Sequence, residues 1–140
     1  MVEQISVFLE NRAGQLSEIT NILFENGIDI RALYISETTD YGVLRIIVTE
    51  SQKAAEALSQ SGMIVSTVQV TAISVPDEPG GLGKFLKVLA EKNIDISYMY
   101  SVFGHSDERA HMVFKVHDTD SLENVLKEYS IKSETIDDLK

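Results

Sequence analysis

The feature that most constrains this chain is an internal repeat, whose period is the separation of Gly14 and Gly80. The segment LENRAGQLSEITNILFENGIDIRALY, which begins at Leu9, aligns at this period with VPDEPGGLGKFLKVLAEKNIDISYMY, which begins at Val75. The triplet Ile-Asp-Ile stands at the same place in both segments. Self-similarity at a fixed period indicates a structural unit that is present more than once. The chain is therefore predicted to contain two copies of one small fold.

Within each copy the hydrophobic periodicity alternates between that of strands and that of helices. Leu16, Ile19 and Leu23 follow helical spacing, and Gly27 behind them is typical of a left-handed helix end. The first copy is predicted to form strands at 3–10, 28–36, 42–49 and 63–69 and helices at 15–26 and 52–61. The second copy is predicted to form strands at 70–76, 94–103, 109–117 and 131–136 and helices at 81–92 and 120–129.

The order βαββαβ in each copy is met most simply by a four-stranded antiparallel sheet with both helices on one face, since crossover connections are right-handed. The predicted fold class is α+β, with two tandem ferredoxin-like βαββαβ units at 1–69 and 70–140. No flexible linker is expected, because the stretch from Thr67 to Val75 contains neither Gly nor Pro. The second strands are apolar on both faces and their edges favour pairing, so the antiparallel sheets are expected to join into one eight-stranded sheet.

The charge balance and the composition limit the classes of partner and chemistry. Asp and Glu number 22 against 12 Lys and Arg, a net charge of -10, so nucleic acid and membrane surfaces are not expected to bind. The absence of cysteine excludes disulfides, thiolate metal sites and cysteine catalysis. No apolar run reaches membrane-spanning length, and the segment MVEQISVFLENR lacks the features of a signal peptide, so a cytoplasmic protein is expected.

The glycine-rich stretch VPDEPGGLGKFL, residues 75–86, invites comparison with nucleotide-binding loops. A phosphate-binding loop requires G-x-x-x-x-G-K-[ST], but Glu78 stands at the first glycine and Phe85 at the hydroxyl position. The dinucleotide pattern G-x-G-x-x-G fails because Leu86 replaces its last glycine. Nucleotide binding is therefore not predicted, and no cofactor is expected.

The informative glycines are the aligned pair Gly14 and Gly80, because the first copy has a single glycine in this turn. Each stands between the first strand and the first helix of its copy. A glycine there indicates either a positive φ angle or the close approach of another group, and a tight turn without a ligand is an equal interpretation. The amino terminus of the following helix exposes unpaired amides and a partial positive charge, which suit a small carboxylate.

With LENRAGQL and VPDEPGGL at the first turns and NGIDI and KNIDI opening the second strands, the chain resembles a tandem pair of ACT domains over nearly its whole length. It is similar to small proteins that consist of two such domains and carry no catalytic domain. The resemblance implies a regulatory protein that binds a free amino acid. The ligand would be held at the interface of the two units by the first strand–helix turns and the second strands.

The resemblance also implies which residues contact the ligand. They are Asn11, Arg12, Ala13, Gly14, Leu16 and Ile30 in the first copy, and Asp77, Glu78, Pro79, Gly80, Leu82 and Ile96 in the second. Ala13 departs from the family pattern, which has proline there, and Arg12 adds a cation, so the two turns need not be equivalent. Walls of Leu, Ile, Ala and Tyr favour a ligand with an uncharged or aromatic side chain. A homodimer that passes the ligand state to a regulated enzyme or another protein is expected.

Two further groups of residues have more than one interpretation. Tyr98, Met99 and Tyr100 are predicted to pack at a seam between second strands, and a place for Tyr98 in the wall of the ligand pocket is the alternative. Arg45 stands in the middle of a strand and faces away from the helices. It is predicted to pair with an acid across a dimer interface, or else with a ligand carboxylate.

The histidines and the C-terminal segment are not predicted to form a site. His105, His111 and His117 are spaced by six residues, and two histidines about 20 Å apart along a strand cannot share a metal ion. No metal site is therefore predicted, and surface or interface positions are expected for the histidines. The C-terminal segment SETIDDLK, residues 133–140, is predicted to be solvated and partly frayed.

An enzyme is the less favoured alternative function. Acylphosphatases are small ferredoxin-like enzymes that use an arginine and an asparagine in the same loop, where this chain has Arg12 and Asn11. The glycine pattern that holds the phosphate is missing, however, and the second copy has Glu78 in place of the arginine. No Ser-His-Asp set stands in a suitable register, so no catalytic residues are predicted. A module that binds only protein, its pockets filled by its own side chains, is the other alternative.

Overall fold

The computed structural model describes residues 1–10, 12–37, 40–104 and 108–140. Its chain forms two compact units. The N-terminal unit comprises residues 3–69 with Lys140, and the C-terminal unit comprises residues 70–139 with Met1 and Val2.

Strands and helices alternate largely as the hydrophobic periodicity predicts. The N-terminal unit contains β1 (Val2–Leu9), α1 (Gln15–Glu25), β2 (Ile30–Glu37), β3 (Gly42–Val48) and α2 (Ser51–Gln60). The long strand β4 (Val65–Pro76) continues from the N-terminal unit into the C-terminal unit. The C-terminal unit adds α3 (Gly81–Glu91), β5 (Ile96–Ser101), β6 (Arg109–Val116), α4 (Thr119–Glu128) and the short α5 (Ile136–Leu139).

Antiparallel pairing organises both units. In the N-terminal unit β3 pairs with β1 and with β2, and in the C-terminal unit β6 pairs with β4 and with β5. The strand order is accordingly β2-β3-β1 in the first unit and β4-β6-β5 in the second. These arrangements confirm the predicted α+β class and the tandem ferredoxin-like units.

The number of strands differs from the prediction. The strands expected at 63–69 and 70–76 form the single strand β4, because no glycine or proline interrupts the extended backbone between them. Residues 131–135 form neither a strand nor a helix. The part of the chain that the structure describes therefore has six strands, and the strand count of the predicted eight-stranded sheet is wrong.

Each unit buries an apolar core beneath its helices. In the N-terminal unit Ile5 of β1 lies opposite Ile46 of β3, and Ile19 of α1 is buried with them. In the C-terminal unit the rings of Phe85 and Phe114 lie 5.4 Å apart within the core. Ile19 and Phe85 stand at aligned positions of the repeat. The duplication therefore extends from the helix pattern to the packing that stabilises each unit.

The residues that follow the first helix of each unit have positive φ angles, as predicted. Gly27 after α1 has a φ of 68°, and the aligned Asn93 after α3 has a φ of 58°. Glycine adopts this left-handed conformation without cost, and asparagine does so more readily than most other residues. Both helices are thus stopped at equivalent points of the repeat.

The C-terminal segment is anchored, and the prediction that it frays is wrong. Leu139 is fully buried, and Glu134 is only 7% exposed. The amide of Glu134 donates to the carbonyl of Ala72 in β4 at 2.7 Å, and Nδ1 of His111 lies 2.9 Å from Glu134 Oε1. His111 is itself only 5% exposed, so a surface position for it is also wrong. The two errors have one reason, because each of these polar side chains satisfies the hydrogen bonding of the other in the interior.

The other candidate residues are two further histidines and Arg45. His117 is exposed, and His105 lies outside the described residues. Arg45 donates from Nη1 to Ser36 Oγ at 2.9 Å, and its guanidinium carbon lies 5.7 Å from the centre of the Tyr34 ring. A contact of Arg45 across a dimer interface stays a prediction.

Docking of the segment around α5 is expected to depend on pH through Asp138. Lys132 Nζ donates to Asp138 Oδ1 at 2.8 Å and the Thr135 amide donates to Oδ2 at 2.8 Å. These contacts, chiefly the one from Lys132, lower the pKa of Asp138 from 3.8 to about 2. Because the folded-state pKa lies below the unfolded value, the stabilisation is fully present above pH 3.8 and is lost as the pH falls towards 2.

We therefore expect the hydrogen-exchange protection factor of the Thr135 amide to fall across that acidic interval. The variant Asp138→Asn should show weaker protection without this pH dependence, and NMR measures both. An unchanged protection factor in the native protein would contradict the assignment.

Candidate functional site

A cleft of about 750 Å³ lies beside the first turn of the N-terminal unit. Its volume falls in the range of small-molecule sites, roughly 300–1,000 Å³. The turn contributes Arg12, Ala13, Gly14, Gln15, Leu16 and Ser17, and the end of β1 contributes Leu9 and Glu10. The side of β2 and β3 contributes Ile35, Glu37, Tyr41 and Gly42. All of the lining residues that the structure describes belong to the N-terminal unit.

Gly14 caps α1 in a left-handed conformation, with a φ of 87° and a ψ of -7°. Apart from its own chain neighbours, no described residue lies within 4 Å of the position that a Cβ would take there. Gly80 caps α3 with nearly the same angles, a φ of 83° and a ψ of -4°, and is equally open. Of the two interpretations of these glycines, the positive φ angle is confirmed at both turns.

Among the described residues, no side chain caps the helix that begins beside the cleft. At α4, by contrast, Asp118 accepts hydrogen bonds from the hydroxyl and the amide of Ser121, and these lower the pKa of Asp118. At α1 the cap is Gly14, whose carbonyl accepts from the Glu18 amide at 3.0 Å but which offers no side chain to the first amides. Uncapped amides and the partial positive charge of the helix terminus together favour an anion at this wall.

Gln15, the first residue of α1, spans the turn. Its Oε1 accepts from the amide of Glu10 at 2.7 Å, and its Nε2 lies 3.7 Å from Met63 Sδ. Sequence reasoning missed this residue, although the repeat carried a signal. The aligned pair in the second copy is Pro76, which has no amide hydrogen to satisfy, and Gly81, which has no side chain. The donor and its acceptor are therefore present together in one copy and absent together in the other.

Arg12 brings a positive charge to the wall of the cleft. Its Nε lies 3.3 Å from Glu10 Oε2, and its Nη2 lies 3.0 Å from Glu18 Oε2. These contacts, above all the hydrogen bond to Glu18, raise the pKa of Arg12. All three side chains are exposed, so the ion pairs orient the guanidinium and add little to stability.

The floor of the cleft is one row of the sheet. Leu9 of β1 and Glu37 of β2 both pair with Gly42 of β3, so the three residues lie side by side. A Cβ on Gly42 would stand 3.3 Å from the carbonyl oxygen of Ser36. Because glycine has no side chain, nothing projects from this residue into the cleft. Ile35, which is 42% exposed, extends the floor along β2. Adjacent strands lie about 4.8 Å apart, which puts Glu37 and Leu9 on opposite sides of the floor, roughly 10 Å apart.

The structure gathers some of the predicted site residues and leaves others apart. Four line the cleft, namely Arg12, Ala13, Gly14 and Leu16. Asn11 lies outside the described residues. Three are partly buried against the cores, namely Ile30, Leu82 and Ile96. Four are exposed at the second turn, namely Asp77, Glu78, Pro79 and Gly80. Tyr98 is partly buried, with its ring 6.4 Å from that of Tyr100.

The side of the cleft formed by β2 and β3 was missing from the predicted site. The register of β2 on β3 places the end of β2 beside the first turn. For this reason the cleft is also lined by Ile35, Glu37 and Tyr41. That register depends on pairing between segments, which a single sequence does not display. Gly42 was the available signal, since a glycine within a strand often marks a place that another group approaches.

The second turn makes close backbone contacts. The amide of Asp77 donates to the carbonyl of Glu108 at 3.1 Å, and the amide of Gly81 donates to the carbonyl of Glu78 at 3.0 Å. A Cβ on Gly81 would overlap the carbonyl oxygen of Pro76. Within the glycine-rich stretch, close approach to the backbone therefore requires the glycine at position 81.

Neither a metal site nor a membrane-spanning helix is found among the residues that the structure describes. No group of three or more His, Asp or Glu side chains in that part of the chain is arranged to hold a metal ion. None of its helices combines the length and the apolar composition that crossing a membrane requires.

A family model for an ACT domain pair matches residues 1–139. The crystal structure of protein BT0572 from Bacteroides thetaiotaomicron is 37% identical to this chain, and the match covers 99% of this chain and 94% of that one with a TM-score of 0.90. The ligand-free regulatory subunit of aspartate kinase from Thermus thermophilus is 17% identical, with coverages of 89% and 91% and a TM-score of 0.62. The corresponding subunit from Thermus flavus is 16% identical, with coverages of 89% and 88% and a TM-score of 0.59. At these two lower identities the likeness concerns the fold alone, and no curated protein matches the chain.

Proposed function

The chain belongs to the ACT domain family as a pair of ACT domains, and on this premise we propose that it is a regulatory protein that binds a free amino acid beside its first turn. The observation that carries the proposal is the position of the cleft. It lies against the uncapped amino terminus of α1, at the turn that the sequence predicted. The regulatory part of the role follows the family, and the ligand and its site are proposed from the geometry.

An amino acid has two charged groups, and the cleft offers a partner for each. The amides of Leu16 and Ser17 in the first turn of α1, with Arg12 beside them, suit the carboxylate. Glu37 on the far side of the floor supplies a carboxylate for the ammonium group. Between these ends the exposed side chain of Ile35 offers an apolar surface, which favours a ligand with an uncharged or aromatic side chain.

The energetics require more than the turn by itself. A helix terminus contributes about 0.3–2 kcal/mol to a bound charge. Micromolar affinity corresponds to about 8 kcal/mol. Contacts that enclose the ligand must supply the difference. A ligand held at an interface between ACT domains, as in a homodimer, would provide such contacts, and both the interface site and the homodimer stay predictions. The cytoplasmic location also stays a prediction.

A thermal-shift screen of the twenty amino acids tests the proposal. A ligand present at 100 times its Kd adds about 2.7 kcal/mol to the free energy of unfolding, because it binds the native state alone. For a chain of this size we expect a rise in Tm of roughly 5–10 °C with one or a few uncharged amino acids. No shift with any of the twenty at millimolar concentration would contradict the proposal.

The variant Ser17→Glu is expected to weaken amino acid binding at least about tenfold, a change of about 1.4 kcal/mol. Ser17 lines the cleft in the first turn of α1, so a carboxylate there competes with the ligand for the same amides. The matched control is Thr20→Glu, because Thr20 is exposed on the same helix and does not line the cleft. Calorimetric titration measures both affinities, and equal losses in the two variants would remove the helix terminus from the site.

We infer that the protein is not catalytic, and the two alternatives have separate tests. An acylphosphatase-like enzyme would need, around Arg12, the glycine pattern that holds the phosphate, and this chain lacks that pattern. Turnover of an acyl phosphate by the purified protein would nevertheless favour that alternative. No thermal shift and no turnover, together with a bound protein partner, would favour a module that binds only protein.

A further inference from the structure

The two aligned turns carry opposite charges. Arg12 in the first turn aligns with Glu78 in the second. On the helices that follow, the signs are exchanged, because Glu18 of α1 aligns with Lys84 of α3. The duplicated turns therefore differ in which element carries the cation and which carries the anion.

The loop position, and not the helix position, determines the charge that a ligand meets. Arg12 and Glu10 line the cleft and lie 3.3 Å apart, whereas Glu18 does not line it and contacts Arg12 at 3.0 Å. At the second turn Glu78 is exposed, and the neighbouring Asp77 adds another exposed carboxylate. The loop residues at the second turn thus carry two negative charges, where the wall of the cleft at the first turn sets Arg12 against Glu10.

The backbone does not distinguish the two turns in the same way. Gly14 and Gly80 differ by 4° in φ, 87° against 83°, and no described side chain caps α1 or α3. A carboxylate would therefore find similarly oriented amides at the start of both helices. The charges beside those amides differ, and like charges repel where opposite charges attract.

Packing at the second turn acts in the same direction as the charge. The amide of Glu78 donates to the carbonyl of Pro76 at 3.0 Å, as the aligned amide of Arg12 donates to the carbonyl of Glu10 at 2.8 Å, but at the second turn the Cα of Gly81 also faces that carbonyl so closely that no side chain fits. The first turn has Gln15 at the position of Gly81, and its side chain bonds across the loop. The start of α3 therefore lies against the end of β4.

We propose that the chain binds a single amino acid, at the first turn, and that Asp77 and Glu78 exclude a carboxylate from the second turn. This inference rests on the proposed function, because it assigns that function to one of two aligned turns. In this arrangement the first turn binds the ligand. The second ACT domain has the same fold but lacks the positive charge that Arg12 supplies at the first turn.

Calorimetric titration of the full chain tests this inference. The probes are the amino acids that raise the Tm, beginning with L-leucine and L-phenylalanine, and their carboxamides, which lack the negative charge. We expect one bound amino acid per chain. Arg12→Glu should weaken binding of the amino acid at least about tenfold while binding of the carboxamide is not weakened, and Glu78→Gln should leave both unchanged. Because Arg12 is exposed, the unliganded variant should keep its Tm.

The outcomes separate the inference from the function on which it rests. Two bound amino acids per chain, or a loss of affinity in Glu78→Gln, would overturn the single site and leave amino acid binding intact. The double variant Asp77→Asn, Glu78→Arg gives the second turn the charge of the first and should gain a second site. Retention of one site there would overturn the role of these carboxylates. No binding by the native chain to any amino acid would overturn the proposed function itself.

Discussion

Replacing Gly81 by alanine is expected to lower the free energy of unfolding by about 3 kcal/mol, at the upper end of the usual cost of overpacking. The added Cβ would overlap the carbonyl oxygen of Pro76 and stand 3.1 Å from its carbonyl carbon. These atoms belong to the backbone at the end of β4, and they cannot move aside as a flexible side chain can. Either α3 or the loop of the second turn must therefore shift.

Gly83→Ala is the matched control for this prediction. Gly83 lies two residues further along α3, is exposed, and has nothing within 4 Å of the position of its Cβ. Alanine there should raise the free energy of unfolding by about 0.5 kcal/mol, since glycine in a helix is entropically unfavourable. Urea denaturation of the two variants measures the difference, and equal stabilities would show that the second turn is not closely packed.

The variant His111→Leu is expected to destabilise the protein by about 3 kcal/mol, the cost of leaving a buried carboxylate without its partner. Both oxygens of Glu134 lie near Nδ1 of His111, at 2.9 and 3.1 Å, and both residues are at least nine-tenths buried. Without the imidazole, Glu134 has lost its partner in the interior. Its side chain can then reach water only if the C-terminal segment detaches. Faster amide exchange at Glu134, whose amide donates to Ala72, should accompany the loss of stability.

The double variant His111→Leu, Glu134→Leu is the decisive control. Removing both polar groups leaves no buried charge without a partner, and a pair replaced by apolar side chains is often nearly neutral. We therefore expect the double variant to be more stable than His111→Leu alone, which is a strongly non-additive result. Additive losses in the cycle, measured by urea denaturation, would show that the two side chains do not depend on each other.

The sequence predicted the turn side of the cleft because the relevant properties are local. A left-handed backbone at the two turns favours glycine, which is present as Gly14 and Gly80. The helices that follow are predicted from hydrophobic spacing within a few residues. The predicted turn residues include Arg12, Ala13 and Leu16, and all three line the cleft. Whether they contact a ligand stays a prediction that the titrations above decide.

The other side of the cleft was not predicted from the sequence, because it depends on register. Glu37 and Ile35 are placed beside the turn by the pairing of β2 with β3, and a shift of one residue would turn both side chains to the opposite face. Gln15 was missed for a similar reason. Its role depends on the distance to the Glu10 amide across the turn, which the order of residues does not state.

By itself the sequence determined the duplication, the order of most helices and strands, and the positions where the backbone turns left-handed, since each of these depends on periodicity or on the conformational range of one residue. Tertiary structure alone decided that Gly81 meets Pro76 and that His111 meets Glu134. A polar residue in a strand and a polar C-terminal segment are each typical of a surface. They become interior when folding brings two complementary groups within hydrogen-bonding distance, because the pair then satisfies the polar atoms that burial would otherwise leave without partners.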